Sequence, residues 1–152
     1  MGSRERVAEF LAKSGAPFAL REFDESTKNS ALAAQALGCT VAEIAKSVVF
    51  VGKATAVVVI SGDRRVDQAK LSRLAGGEMR PATPGEVRER TGFPIGGVPP
   101  FPHLQEVAVF PETSLGRFRE VWAAAGAPNA VFRIGTSDLV RLVGRGPFEL
   151  AE

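Results

Sequence analysis

Between Gly92 and Pro102 the chain reads Gly-Phe-Pro-Ile-Gly-Gly-Val-Pro-Pro-Phe-Pro, eleven residues with three glycines and four prolines. Neither a helix nor a central strand can run through it. Proline lacks the N–H that both need and fixes φ, while glycine reaches positive φ and lets other groups come close to the backbone. Any sheet must therefore be assembled on either side of this stretch. Two readings of the segment stand: a rigid turn between strands, or a stiff ledge whose bare peptide groups hold a small polar ligand.

On the N-terminal side, Val7, Phe10 and Leu11 fall at i, i+3, i+4 and predict an amphipathic helix from Ser3 to Ser14, ended by Gly15. Phe18 to Phe23 alternates as a strand. Ser30 is expected to cap an alanine-rich helix over Ala31–Leu37, stopped by Gly38. Thr40-Val41-Ala42-Glu43 is a capping box, which predicts a helix of one or two turns. The β-branched runs 46–51 and 54–60 predict a central hairpin. A helix is expected over 67–74, and a second capping box, Thr83-Pro84-Gly85-Glu86, opens another that stops near Gly92. Beyond the loop the expectations are a strand over 107–110, a helix over 114–125 holding the single tryptophan Trp122, a strand over 130–134, and a helix from Thr136 to Val143. The tail after Gly144 is expected to fray. Intermingled helices and hairpins without βαβ repetition predict an α+β fold with a mixed, mainly antiparallel sheet surrounded by helices.

The 152 residues suit a single domain spanning 1–152, and 45% hydrophobic with 24% charged residues is enough to bury a core. No run approaches the ~20 apolar residues of a membrane span, and the first residues lack the apolar stretch of a signal peptide. A cytoplasmic protein that meets no membrane is expected. One cysteine, Cys39, allows no intrachain disulfide, and with one histidine, His103, a structural zinc site is not expected. A net charge of +2 tolerates a nucleic-acid partner if arginines such as Arg64, Arg65, Arg88, Arg90 and Arg145 share a face. Solvated arginines on helix faces are the plainer reading.

Lys46 stands at the mouth of the first central strand, between Ala45 and Val48. Desolvating an ammonium costs several kcal/mol, so such a lysine either snorkels to water or points into a cleft. The nucleophile elbow, the phosphate-binding loop and the dinucleotide glycine pattern do not occur. An enzyme of this composition is expected to work without metal or cofactor, by positioning and polarisation.

Three segments taken together, Glu43-Ile44-Ala45-Lys46-Ser47, then Ser61-Gly62-Asp63-Arg64-Arg65-Val66-Asp67, then Thr91-Gly92-Phe93-Pro94-Ile95-Gly96-Gly97-Val98-Pro99-Pro100, resemble the YbaK/ProX family, stand-alone relatives of the editing domain of bacterial prolyl-tRNA synthetases. The resemblance is collinear over essentially the whole chain. It implies hydrolysis of the aminoacyl ester on a mischarged tRNA, commonly tRNA-Pro carrying Ala or Cys, with the acceptor end of that tRNA as partner and an aminoacyl-tRNA synthetase as a further one. Lys46 matches the family's functional lysine, and Gly96 to Pro100, with Gly97 inside, matches its Gly-x-x-x-Pro loop. The lysine would orient the terminal phosphate or the aminoacyl group. Loop peptides would polarise the ester carbonyl, and water would attack with help from the neighbouring ribose hydroxyl. Ser47 is expected to line the acyl pocket. Phe23 falls where relatives often carry a hydroxylated ring, and this chain has no tyrosine. Asn129 is a candidate polar pocket residue, and Phe93, Ile95, Val98, Pro99 and Pro100 complete the expected substrate-binding set. Two other readings remain: a non-catalytic module that binds aminoacyl-adenosine or tRNA, such as a synthetase-associated regulator, and a hydrolase of small esters or amides.

Overall fold

The computed structural model describes residues 2–24 and 29–152. Five helices and seven strands are found among them: α1 (Ser3–Ser14), β1 (Phe18–Glu22), α2 (Ser30–Leu37), β2 (Ile44–Val51), β3 (Thr55–Ser61), α3 (Gln68–Ala75), β4 (Arg80–Pro81), α4 (Pro84–Thr91), β5 (Ala108–Pro111), β6 (Glu120–Ala124), β7 (Ala130–Gly135) and α5 (Thr136–Val143). One mixed sheet holds all seven strands in the order β1-β7-β6-β2-β3-β5, with β4 also on β2. The β2/β6 and β3/β5 pairs are parallel and the others antiparallel. The expected α+β class is what the chain adopts.

Every residue of β3 is buried, which is why Val57-Val58-Val59-Ile60 shows no polar alternation. On one face Val57 and Val59 pack with Val7 and Leu11 of α1, and with Phe93, Phe101 and Phe132. On the other, Val58 and Ile60 meet Leu71, Met79 and Leu150. A smaller cluster joins Ala33 and Ala34 of α2 to Ile44, with Trp122 against it.

The local signals held at most helix ends. Both capping boxes form, although the first opens a single 3-10 turn over Val41–Glu43 rather than an α-helix. Asp67 caps α3. Asn29, and not Ser30, caps α2: its side chain accepts from the Leu32 N–H while Ser30 is already helical.

Two expectations are overturned. The segment 114–125 is not a helix but a 3-10 turn over Thr113–Arg117 followed by strand β6. Val121, Ala123 and Ala125 are buried at 0%, 1% and 1% exposure, a two-residue period. Five ladder positions to β7 and two to β2 outweigh the helical preference of the alanines. Nor does the tail fray. Leu150 is 1% exposed, and the Glu112 carboxylate accepts from its N–H at 3.1 Å, while Phe148 N–H donates to the Pro111 carbonyl.

A gap in the sheet is the fold's functional consequence. One edge of β2 is fully paired with β3 from Ala45 to Val51. Its other edge meets β6 only at Ile44 and Ala45, and β4 only at Phe50 and Val51. The Val49 carbonyl is taken by Ala82 N–H at 2.9 Å. Strand alternation puts the Ser47 peptide on that same edge, between the two partners, where no strand pairs with it.

Candidate active site

The gap opens into a cavity of about 630 Å³. Lys46 and Val48 reach it from one face of β2, and Ala45, Ser47 and Val49 from the other, so the hollow runs through the split between β2 and β6. Trp122 and Ala124 of β6, Val131 of β7, the start of α2 at Asn29 and Ser30, and the loop residues Ile95, Gly96 and Val98 close it. Lys46 is the one ionisable side chain among the described residues that line it.

The Lys46 ammonium is half-buried and, among the described residues, makes a single long contact, donating to the Gly62 carbonyl at 3.4 Å. Burial pushes its pKa below the ordinary lysine range, the nearby Arg65 charge pushes the same way, and Asp63 opposes both. Asp63 itself is held by Arg117 at 2.7 and 3.1 Å, which pins the turn after β3 to the 3-10 turn before β6. The pair fixes the carbonyl-bearing turn beneath the lysine, and no second acceptor among the described residues reaches the ammonium.

The glycine–proline segment is held from behind. Gly96 has φ 81°, and Gly97 donates its N–H to the Pro94 carbonyl at 2.9 Å. A side chain at Gly97 would come within 2.9 Å of the Ala127 backbone, so only glycine fits this close approach. Phe93 is fully buried, with the Arg6 guanidinium 5.0 Å above its ring. His103 donates to the Pro99 carbonyl at 2.9 Å if protonated at Nε2, and sits edge-on to Phe93. Burial lowers its pKa and the Pro99 bond opposes that, the behaviour of a satisfied structural histidine. The loop tip alone is open: Ile95 is 55% exposed at the rim.

The fold thus brings Lys46, Ser47, Ile95, Gly96 and Val98 onto one hollow. Phe93, Gly97, Pro99 and Pro100 brace the ledge from the core side, Pro99 and Pro100 being buried there. Asn129 does not line the hollow: its side-chain amide donates to the Phe23 carbonyl at 3.0 Å and its own carbonyl accepts the Phe23 N–H at 2.8 Å, closing the end of the β1/β7 pair. Phe23 lies under Arg21, 5.1 Å from ring centre to guanidinium carbon. Sequence reasoning missed Trp122, Ala124 and the start of α2. The alternation Val121/Ala123/Ala125 was the signal that Trp122 lies on a strand facing away from the main core.

A half-buried ammonium and the loop residues Gly96 and Val98 thus line one hollow, with Asp63 and Arg65 near enough to act on the lysine's charge. The aminoacyl-tRNA editing domain family matches residues 24–142, most of the chain. The chain belongs to the aminoacyl-tRNA editing domain family. Its YbaK-like motifs agree with that placement. A crystal structure of a proposed trans-editing enzyme for prolyl-tRNA synthetase is 42% identical and superposes with a TM-score of 0.90, covering 100% of this chain and 98% of that one. The structure of a hypothetical protein is 30% identical with a TM-score of 0.91, over 97% and 99% of the two chains. The uncharacterised protein YwhH of Bacillus subtilis (strain 168) is 35% identical over 120 residues, 78% of this chain and 76% of its own. No helix of this editing domain, among the described residues, is long and apolar enough to cross a membrane.

Proposed function

We propose that this editing domain acts in trans as an aminoacyl-tRNA deacylase, on tRNA-Pro carrying Ala, Cys or another small amino acid. The observation that carries the reading is the shared hollow: the Lys46 ammonium and the Gly96 ledge face one cavity whose described lining holds no other ionisable group. Lys46 has donor capacity to spare, because its one hydrogen bond among the described residues is at the outer limit of such a bond. It orients an oxygen of the terminal nucleotide or of the aminoacyl group. Gly97 N–H is already given to Pro94, so the donors left on the ledge to polarise the ester carbonyl are the N–H groups of its lining residues, Gly96 among them.

Water attacks the carbonyl carbon, the bond to the ribose oxygen breaks, and that oxygen leaves with a proton. The vicinal ribose hydroxyl of the substrate relays protons in this step. Small alanines at 45, 123 and 124 shape the lining. One methylene is worth only about 1–3 kcal/mol in an apolar pocket, so pocket size discriminates among small acyl groups only partly, and contacts to the tRNA supply the rest.

The test is deacylation of Ala-, Cys- and Ser-charged tRNA-Pro, with the same amino acids on a second tRNA for comparison. Release of the amino acid from at least one small-acyl tRNA-Pro is expected. Binding of charged tRNA without release would leave a non-catalytic module, and cleavage of free amino-acid esters at the same efficiency as charged tRNA would leave a general esterase.

A further inference from the structure

We infer that Arg133, lying over Trp122, forms a platform for the terminal nucleobase of the substrate; the inference rests on the deacylase reading and extends it to the nucleoside. A cavity of about 630 Å³ lies in the range that takes a whole drug-sized ligand, and a small aminoacyl group fills only part of it. What is attached next to that group in an aminoacyl-tRNA is the terminal ribose and its adenine. The remaining volume therefore calls for a surface that holds a flat ring.

Trp122 supplies it. The parallel register pairs Trp122 with Ile44, and Lys46 is two residues further along on the same face. Strand spacing and rise then put the Trp122 and Lys46 backbones about 8 Å apart. The indole is the aromatic ring on the described lining, and it packs against the Ala33, Ala34 and Ile44 cluster. Across the strand pair, Trp122 faces Arg133, whose guanidinium carbon stands 5.7 Å from the ring centre. The Arg133 side chain is 49% exposed and its one ion pair among the described residues, to Glu120, is loose at 3.6 Å. A planar, half-exposed cation thus lies over the ring of Trp122, which itself lines the hollow. Bases stack on guanidinium planes as they do on aromatic rings, and the stacking tolerates any base because each has a π face. Arg21, paired with the cavity residue Val131 and lying over Phe23, adds a second exposed guanidinium on this face, as a polyanionic strand requires.

The chain has one tryptophan and no tyrosine, so its fluorescence reports this position directly. Titration with AMP, the terminal nucleotide itself, is expected to change Trp122 emission saturably, while ribose 5-phosphate leaves it unchanged. Arg133→Ala should weaken AMP binding about ten-fold or more, and raise KM for charged tRNA similarly with kcat nearly kept. Arg133→Lys keeps the charge but loses the plane, and should behave like Arg133→Ala. The platform is overturned if AMP leaves the emission unchanged, if ribose 5-phosphate matches AMP, or if Arg133→Lys binds like wild type. Deacylation that persists while AMP is silent removes the platform alone. A saturable AMP response with no deacylation of any charged tRNA removes the hydrolytic reading and keeps the nucleobase site.

Discussion

Lys46 and Glu112 are two charges set against the same sheet, and they are treated in opposite ways. Glu112 is 1% exposed, and its carboxylate accepts from Ser114 N–H at 2.8 Å, Leu150 N–H at 3.1 Å and the Thr113 hydroxyl at 3.1 Å. Burial pushes its pKa up, but these donors outweigh burial and hold it below the usual carboxylate range. Lys46 has one 3.4 Å contact and an open cavity in front of it. Three donors on this buried carboxylate join the tail to the end of β5. Lys46, with one long contact among the described residues, has donors left for a substrate, and this contrast is what supports the proposed role of Lys46.

The largest effect should come from the substrate side of the cavity. Replacing the vicinal ribose hydroxyl of the charged tRNA by hydrogen is expected to slow single-turnover deacylation about 10²–10⁴-fold, the usual weight of a lost proton relay. An unchanged rate would mean that a protein group does this work, and the contrast with Glu112 would lose its catalytic half.

Glu112→Gln sharpens the structural half. It should lower stability by about 1–3 kcal/mol through the weakened network, seen as a shifted denaturant midpoint, with deacylation kinetics intact. The sign of the pH effect follows from the lowered pKa. Stability from Glu112 is fully present above the unfolded glutamate value near about 4.3 and is lost as pH falls through the lower folded value. The wild-type Tm should therefore drop more steeply in acid than that of Glu112→Gln. Parallel acid curves for the two proteins would contradict this.

The smallest effect concerns Ser47, whose hydroxyl is buried in the cavity wall without a partner among the described residues. Removing an unsatisfied buried hydroxyl relieves its desolvation, so Ser47→Ala should leave Tm unchanged or raise it by an amount worth up to about 1 kcal/mol. A loss of stability would show that this hydroxyl serves the fold, as Glu112 does.

How much of this was legible beforehand follows the range of the interactions. Caps are local, so Thr83 with Glu86, Asp67, and the glycines at 15, 38 and 92 marked helix ends where the structure has them. The β-branched run through β3 could only be a buried strand. Lys46 and the Gly96 loop stood out because their residue types are poor choices for the places they occupy. Trp122 was hidden because three alanines follow Trp122 in a segment that reads as helix locally, and only pairing with β7 makes it a strand. The docked tail was hidden because its anchor, Glu112, lies 38 residues away in sequence from Leu150. The gap in the sheet was least legible of all. It exists because β6 stops pairing with β2 at Ala45 and β4 begins at Phe50, and no residue announces where two partners of one edge will end.

The central claim is that the Lys46 ammonium is held unsatisfied for the ester and not for the fold. Single-turnover deacylation by Lys46→Ala, measured on protein whose thermal unfolding is recorded in parallel, tests it most directly. A rate about 10²–10³-fold below wild type with an unchanged Tm is the expected result. A wild-type rate, or a loss of rate matched by a loss of folded protein, would contradict it.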